Sequence, residues 1–496
     1  MALESMSGFV ALFTAGARMC GTGLLPPGRA WRIRSIERTG TTVDPLQPLA
    51  IHLVSLGCPK NLVDSEVILG RIGAEGFVVA QQPEDADILM VNTCGFIESA
   101  KAESIEAILD LVRLKEQDPA KRVVVAGCLG QRYPEELAEE IPEIDAIVGM
   151  SEYPRMPEIL GGLMEEVRQQ RRVHVGNASH PAWSEDSRLR LTPRHSAYLK
   201  ISEGCDNPCT FCSIPSFRGR FRSKSPEYVV NEAHELVANG TREINLISQD
   251  LTSYGLDIDG EFLLPDIMEK LDAVDGIDWI RLLYTYPYKF SDAMIDAVAN
   301  LDRVIPYIDM PIQHIDDTML RRMGRRLGED GTRDLFRRMR ERVPELVLRT
   351  TFIVGFPGET REQFEKLVDF VEQNKLERVG VFPWSPEEGT PAEKLPGRID
   401  EAEVQARIEE LMLAQQQVAF DWNRSRIGSE VDVLIDEICP ETASTLGRSY
   451  AEAPEIDSII RLPKDVAGVG EMVRCTITET DDYDLVAEPL RCSEEI

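Results

Sequence analysis

Histidine is scarce: six in 496 residues leave little material for histidine-rich metal sites. No stretch reaches the ~18 consecutive apolar residues that a membrane-spanning helix needs, so the chain is expected to be soluble and cytoplasmic, with no membrane partner. Basic charge is short as well. The net charge of −31 argues against loose binding of polyanions over the whole surface and accommodates a basic partner more easily. No internal repeat or low-complexity tract is present. No Lys or Arg precedes the apolar run Gly8–Ala17, which spoils a signal-peptide reading. Arg18, Arg29, Arg32, Arg34 and Arg38 against Glu4, Glu37 and Asp44 give a faint transit-peptide pattern. Residues 1–48 are read instead as a disordered extension or a start placed too far upstream.

Cysteine, by contrast, is plentiful. Ten in a long acidic chain do not resemble a small secreted disulfide scaffold and point to metal or catalytic use. Three stand in Cys205-Asp-Asn-Pro-Cys209-Thr-Phe-Cys212, just past the apolar run Ala197–Ile201. Thiolates are soft ligands suited to iron–sulfur clusters. Three of them hold three corners of a four-iron cluster and leave the fourth iron open to a small molecule. Zinc would ask for a fourth nearby Cys or His. A thioredoxin-like reading of Cys209 and Cys212 leaves Cys205 unexplained.

The chain is long enough for about three domains. Over 49–163, short β-rich runs (Ile51–Leu56, Ile88–Asn92, Val123–Ala126) alternate with helical segments, one carrying Ile105, Ile108, Leu109 and Val112 on a face. This predicts an α/β domain with a parallel sheet. Cys58, Cys94 and Cys128 each fall within about two residues of a strand end, where ligands gather in open parallel sheets. They are read as a second cluster site, the alternative being three ordinary buried cysteines. Residues 175–195 read as a linker. Over 191–422, six strand-like runs (Ala197–Ser202, Glu243–Ile247, Trp279–Leu283, Val304–Ile308, Val347–Val354, Arg378–Phe382) alternate with helices and predict a partial (β/α)6 barrel, open on one side. Cys205, Gln249, Gln313 and Gly355 lie just beyond strand ends and would share its mouth. Residues 424–492, with runs such as Val431–Ile435, Ile456–Leu462 and Met472–Ile477, predict a small β-barrel.

The Cys-x3-Cys-x2-Cys motif with Phe211 before its last cysteine resembles the radical S-adenosylmethionine (SAM) enzymes. Val54-Ser-Leu-Gly-Cys58-Pro-Lys-Asn-Leu-Val-Asp-Ser-Glu66, Asn92-Thr-Cys94-Gly-Phe and Ala126-Gly-Cys128 resemble the amino-terminal domain of methylthiotransferases, and the last domain resembles TRAM. Three motif sets in the family's order span about residues 49–492. Gln249-Asp-Leu-Thr-Ser-Tyr-Gly255, Tyr307-Ile-Asp-Met-Pro-Ile-Gln-His314 and Ser385-Pro-Glu-Glu-Gly-Thr390 look like the branch that modifies ribosomal protein S-twelve. The resemblance implies two 4Fe-4S clusters, on Cys205, Cys209 and Cys212 and on Cys58, Cys94 and Cys128, with SAM as both methyl donor and radical source. A methylthio group would be added to the β-carbon of an aspartate. A low-potential donor such as flavodoxin or ferredoxin, a sulfur donor and a monomeric state are implied as well. Phe211, Gln249, Gln313 and Gly355 are candidate SAM contacts, against a core aromatic and ordinary loop residues. Residues 424–491 carry seven Lys/Arg against fifteen Asp/Glu, a balance that suits a basic protein better than tRNA. Arg218, Arg220, Arg222 and Lys224 would hold a carboxylate or form a solvated basic face. Cys20, Cys439, Cys475 and Cys492 are expected to be non-ligands. Methylthiolation of a modified adenosine in tRNA, and a non-catalytic iron–sulfur electron carrier or scaffold, are the competing readings.

Overall fold

The computed structural model describes residues 48–164, 172–178, 188–440 and 442–490. The expected extension, Cys20, Cys492 and the middle of the linker lie outside them. The first sheet is entirely parallel, with strands β1 (Ala50–Ser55), β2 (Val78–Val79), β3 (Ile88–Thr93), β4 (Arg122–Gly127), β5 (Ala146–Val148) and β6 (Val173–His174) in the order β2-β1-β3-β4-β5-β6. Every residue of β3 is buried, as expected of a strand covered by helices on both faces. Helix α1 (Pro59–Ala74) follows β1, α2 (Glu98–Gln117) follows β3, and α3 (Cys128–Arg132) follows β4. On α2 the buried face is Ser104, Ile108, Leu111 and Val112, whereas Ile105 and Leu109 are 39% and 37% exposed. The expected apolar stripe is thus rotated, because Ser104 turns inward to bond the backbone of Cys94.

Strand β7 (Ser196–Lys200) opens the second sheet, and a short antiparallel pair, β8 (Ser202–Glu203) with β9 (Arg222–Ser223), clasps the cysteine loop. The sheet continues with β10 (Glu243–Ile247), β11 (Trp279–Leu282), β12 (Val304–Asp309), β13 (Val347–Val354) and β14 (Arg378–Pro383). All six strands are parallel and sequential, from β7 at one edge to β14 at the other, which is the expected open barrel. A long helix, Glu401–Ser425, then leads to a closed five-stranded barrel of β15 (Glu430–Cys439), β16 (Ser444–Arg448), β17 (Ile460–Pro463), β18 (Met472–Asp481) and β19 (Asp484–Pro489). The sequence reading missed β16 and β19 and started β17 too early.

Elements from three regions meet inside the partial barrel. One apolar cluster joins Val63 of α1, Tyr198, Ile247, Tyr307 and Val347 of the second sheet, and Leu434, Ala451 and Ala453 of the last domain. The open barrel is therefore closed from inside by its neighbours. Buried ion pairs fix the same arrangement. Glu243 at the start of β10 takes Arg281 at 2.9 Å and Arg448 of β16 at 2.8 Å. Glu387, itself in the Ser385–Thr390 motif, takes Arg132 of α3 at 2.7 Å and Lys101 of α2 at 3.3 Å.

Candidate functional site

The loop after β8 carries Cys205, Cys209 and Cys212. Its backbone is tied down locally: Cys205 N–H donates to Gly219 at 3.2 Å, Cys212 N–H to Cys209 at 3.2 Å, and Thr210 N–H to Met323 at 3.0 Å. Polar side chains reach the sulfurs. Asn207 donates to Cys205 Sγ at 3.4 Å and to Asp250 at 2.8 Å, and Asp250 also pairs with Lys289 at 2.8 Å. Arg325 approaches Cys209 Sγ at 3.6 Å while its guanidinium lies 4.0 Å from the Tyr286 ring centroid. An open cleft of about 430 Å³ is lined by Cys205, Asp206, Asn207, Pro215 and Arg220.

The other three cysteines follow the carboxyl ends of the adjacent interior strands β1, β3 and β4 of the first sheet. Cys58 occupies the N-cap of α1 with extended backbone, and its side chain makes no capping bond. Pro59 at the first helical position costs no hydrogen bond there. Gly57 has φ +86°, and a Cβ built on it would meet Cys94 Cβ at 2.8 Å and Cys94 Sγ at 3.1 Å. The chain before Cys58 thus passes Cys94 so closely that only glycine fits. Cys128 opens α3, and its Sγ accepts from Arg218 at 3.1 Å.

Burial pushes the free thiols up, Cys128 to about 12 and Cys205 to about 11, with Cys94 and Cys212 displaced the same way. Within each trio the neighbouring thiols add to the effect. Such groups ionise only beside strong positive charge, which a bound metal supplies. Among the described residues no three His, Cys, Asp or Glu side chains close on one point as a single-ion site would. An iron–sulfur core holds its thiolates at separate corners, and two trios of soft donors, Cys128 and Cys205 buried and the other four half-buried, fit that group.

Bonded to Cys128 through Arg218 is a buried polar seam whose pairing sequence reasoning did not find. Asp64 of α1 pairs with Lys200 and, at 2.8 Å, with Arg218. Glu203 pairs with Lys200 at 2.7 Å, with Arg218 at 3.1 Å and accepts from Gln249 at 2.6 Å. Burial works against the charges, but Arg218 and Lys200 outweigh it and hold the Glu203 carboxyl well below its usual range. The sequence had marked three of the seam's members separately, Asp64 within the Cys58–Glu66 motif, Arg218 in the basic run and Gln249 beyond a strand end, but not their pairing.

The basic run disperses. Arg218 and Lys224 are buried and paired, Lys224 with Glu232 at 2.5 Å, and Arg222 is half-buried. Arg220 is the exposed member, so the solvated-face reading is corrected for the other three. Phe211 is half-buried against Met319, Met323, Phe356 and Ala392. Gln249 lies in the seam, and the Oε1 atoms of both Gln249 and Gln313 are buried without a partner among the described residues. Gln313 holds φ +73° and bridges to Phe352. Gly355 donates to Glu359 at 2.7 Å, and a Cβ built on it would meet Val404 of the long helix at 2.5 Å, so the helix packs where only glycine fits. Cys439 and Cys475 are buried in the last barrel, away from both trios.

Residues 50–149 match the family described as uncharacterized protein family UPF0004, residues 199–371 the radical SAM superfamily, and residues 427–490 the TRAM domain. The ribosomal protein uS12 methylthiotransferase RimO of Geobacter sulfurreducens is 46% identical over 88% of this chain and 98% of its own length. Its counterpart in Geotalea uraniireducens is 45% identical over 88% and 98%. Among solved structures, the radical SAM methyltransferase TsrM of Kitasatospora setae superposes with a TM-score of 0.52 at 17% identity, covering 68% of this chain and 73% of that one. That likeness concerns the fold.

Proposed function

Because this chain belongs to the ribosomal protein uS12 methylthiotransferase family, we propose that it transfers a methylthio group to uS12 as a SAM-dependent radical enzyme. The observation that carries the reading is two separate cysteine trios, with a buried seam that bonds Cys128 through Arg218 and includes Glu203, two residues before Cys205. Cys205, Cys209 and Cys212 would hold one 4Fe-4S cluster, and Cys58, Cys94 and Cys128 a second. When bound, these clusters and SAM supply the electron, the radical and the sulfur that an unactivated C–H bond requires.

The chain's own residues do the rest. Asn207 and Arg325 orient the sulfurs of the first trio, and Arg218 orients Cys128 in the second. Hydrogen bonds of this kind to ligand sulfur tune a cluster. Packing of Val63, Tyr198 and Tyr307 with Ala451 excludes water from the barrel interior. Gln249 and Gln313, whose Oε1 atoms are buried without a partner among the described residues, would offer acceptors to SAM, and Phe211 would offer it an aromatic face. The target is an aspartate β-carbon, and flavodoxin or ferredoxin and a separate sulfur donor complete the reaction. The protein acts as a cytoplasmic monomer, and no helix among the described residues is long and apolar enough to cross a membrane.

Anaerobic reconstitution with SAM, reductant, uS12 and tRNA tests the reading. A gain of ~46 Da on uS12, for H replaced by SCH₃, is expected. The same gain on tRNA, or none on either, would refute it.

A further inference from the structure

The seam contains a cation that makes no ion pair among the described residues. Lys60 lies two residues after Cys58, in the first turn of α1, and is only 7% exposed. Its ammonium stands 3.0 Å from the centroid of the Tyr284 ring and makes no hydrogen bond or ion pair within the described residues. The negative charges that act on it are the Cys58 sulfur, when ionised, and two carboxylates that are already engaged. Asp309 accepts from Arg349 at 2.8 Å and from the Tyr284 N–H at 3.0 Å. Glu203 is held by Lys200, Arg218 and Gln249. A buried charge without a counter-ion is costly, and contact with an aromatic face offsets only part of that cost.

Tyr284 itself is held in an unfavourable backbone conformation. Its φ of +62° lies in the left-handed region, which a bulky residue seldom adopts. Both ends of the residue are pinned: the N–H by Asp309, and the carbonyl by the Leu251 N–H at 3.0 Å. Strain over-determined by its surroundings is a mark of a functional position. Here it fixes the ring beneath the Lys60 ammonium, beside Cys58.

We propose that Lys60 is a specificity-determining residue, which takes the carboxylate of an acidic side chain of the protein substrate and seats it in the seam over Tyr284. This deepens the proposed function and rests on it. An incoming carboxylate completes the pair that the fold leaves open, whereas an amide leaves the ammonium unpaired.

The test is a double-mutant cycle on binding, read without reductant so that no turnover occurs. The uS12 residue that gains the methylthio group is located by mass spectrometry, and its amide variant is made. Dissociation constants of both uS12 forms, and of SAM, are measured for the reconstituted wild type, Lys60→Met, Lys60→Gln and Lys60→Arg, with iron content in parallel. Truncating one partner of a desolvated charge pair weakens binding by about thirtyfold or more. The wild type and Lys60→Arg should therefore prefer the carboxylate form by about that factor, and Lys60→Met and Lys60→Gln should bind both forms alike. Retained preference in the iron-loaded Met or Gln variant would overturn the proposal. So would a modified residue without a carboxylate, or an effect confined to SAM affinity. Failure of the wild type to bind or modify uS12 would instead refute the functional reading beneath it.

Discussion

Arg218 is where single-residue chemistry departs most from what its sequence neighbourhood suggests. It sits in a run of four basic residues that reads as a surface patch, yet it is 3% exposed and bonded to Asp64, Glu203 and Cys128. Its partner Asp64 lies 154 residues earlier, so no local pattern could announce the pair. Removing one member of a buried ion network strands its counter-charges at a cost of about 3–5 kcal/mol. Arg218→Met should therefore destabilise the apoprotein strongly in chemical denaturation. Arg361→Ala, which removes exposed pairs with Glu365 and Glu410, should leave the midpoint where it is. Equal effects of the two changes would show that the seam is not a buried network. The cysteines, by contrast, stand out individually in the sequence, because residue type and spacing mark them without reference to distant partners.

At the scale of elements, apolar runs located all six strands of the second sheet and β1, β3 and β4 of the first, since continuous burial leaves a strong one-dimensional signal; β2, β5 and β6, two or three residues long, are too short to leave one. The last barrel was harder to read. Its strand β18 carries a pattern of buried and exposed residues broken by a register shift, and β16 and β19 are five and six residues long. Such strands are specified by pairing with partners elsewhere in the sequence rather than by their own composition. The loop from β1 into α1 makes a sharper prediction. Gly57→Ala would drive a methyl group into Cys94 and impose the strained φ of +86° on a residue with a Cβ. Iron bound by the amino-terminal trio should fall, with the signal from Cys205, Cys209 and Cys212 unchanged, as read by electron paramagnetic resonance of the reduced protein. Loss of both signals together would contradict independent sites. The docking of β16 on β10 gives a pH test. Burial opposes ionisation of Glu243, but Arg448 and Arg281 hold its carboxyl near 2. A depressed carboxyl stabilises the fold above its unfolded value of about 4.3, and that contribution is lost as pH falls toward 2. Apoprotein melting temperature should therefore drop across that window, and Glu243→Gln should flatten the drop while lowering stability at neutral pH.

For the whole molecule, the three regions act as one body because buried charges bridge each junction: Asp64 with Lys200 and Arg218, Glu387 with Arg132, and Glu243 with Arg448. The motif stretches earn their positions here, with Asp64, Asp250, Asp309 and Glu387 all in buried contacts. The net charge of −31 adds a long-range preference. Association with uS12 should slow as salt rises, and excess tRNA should not compete; competition at low salt would contradict this. The central claim is that six thiols anchor two separate iron centres across one seam. Iron and acid-labile sulfide per chain, measured after anaerobic reconstitution of the wild type and of the two triple Cys→Ala variants, test it most directly. The account predicts about eight irons in the wild type and about four in each variant, four for every cubane. About four in the wild type, or a triple variant that keeps the full complement, would contradict it.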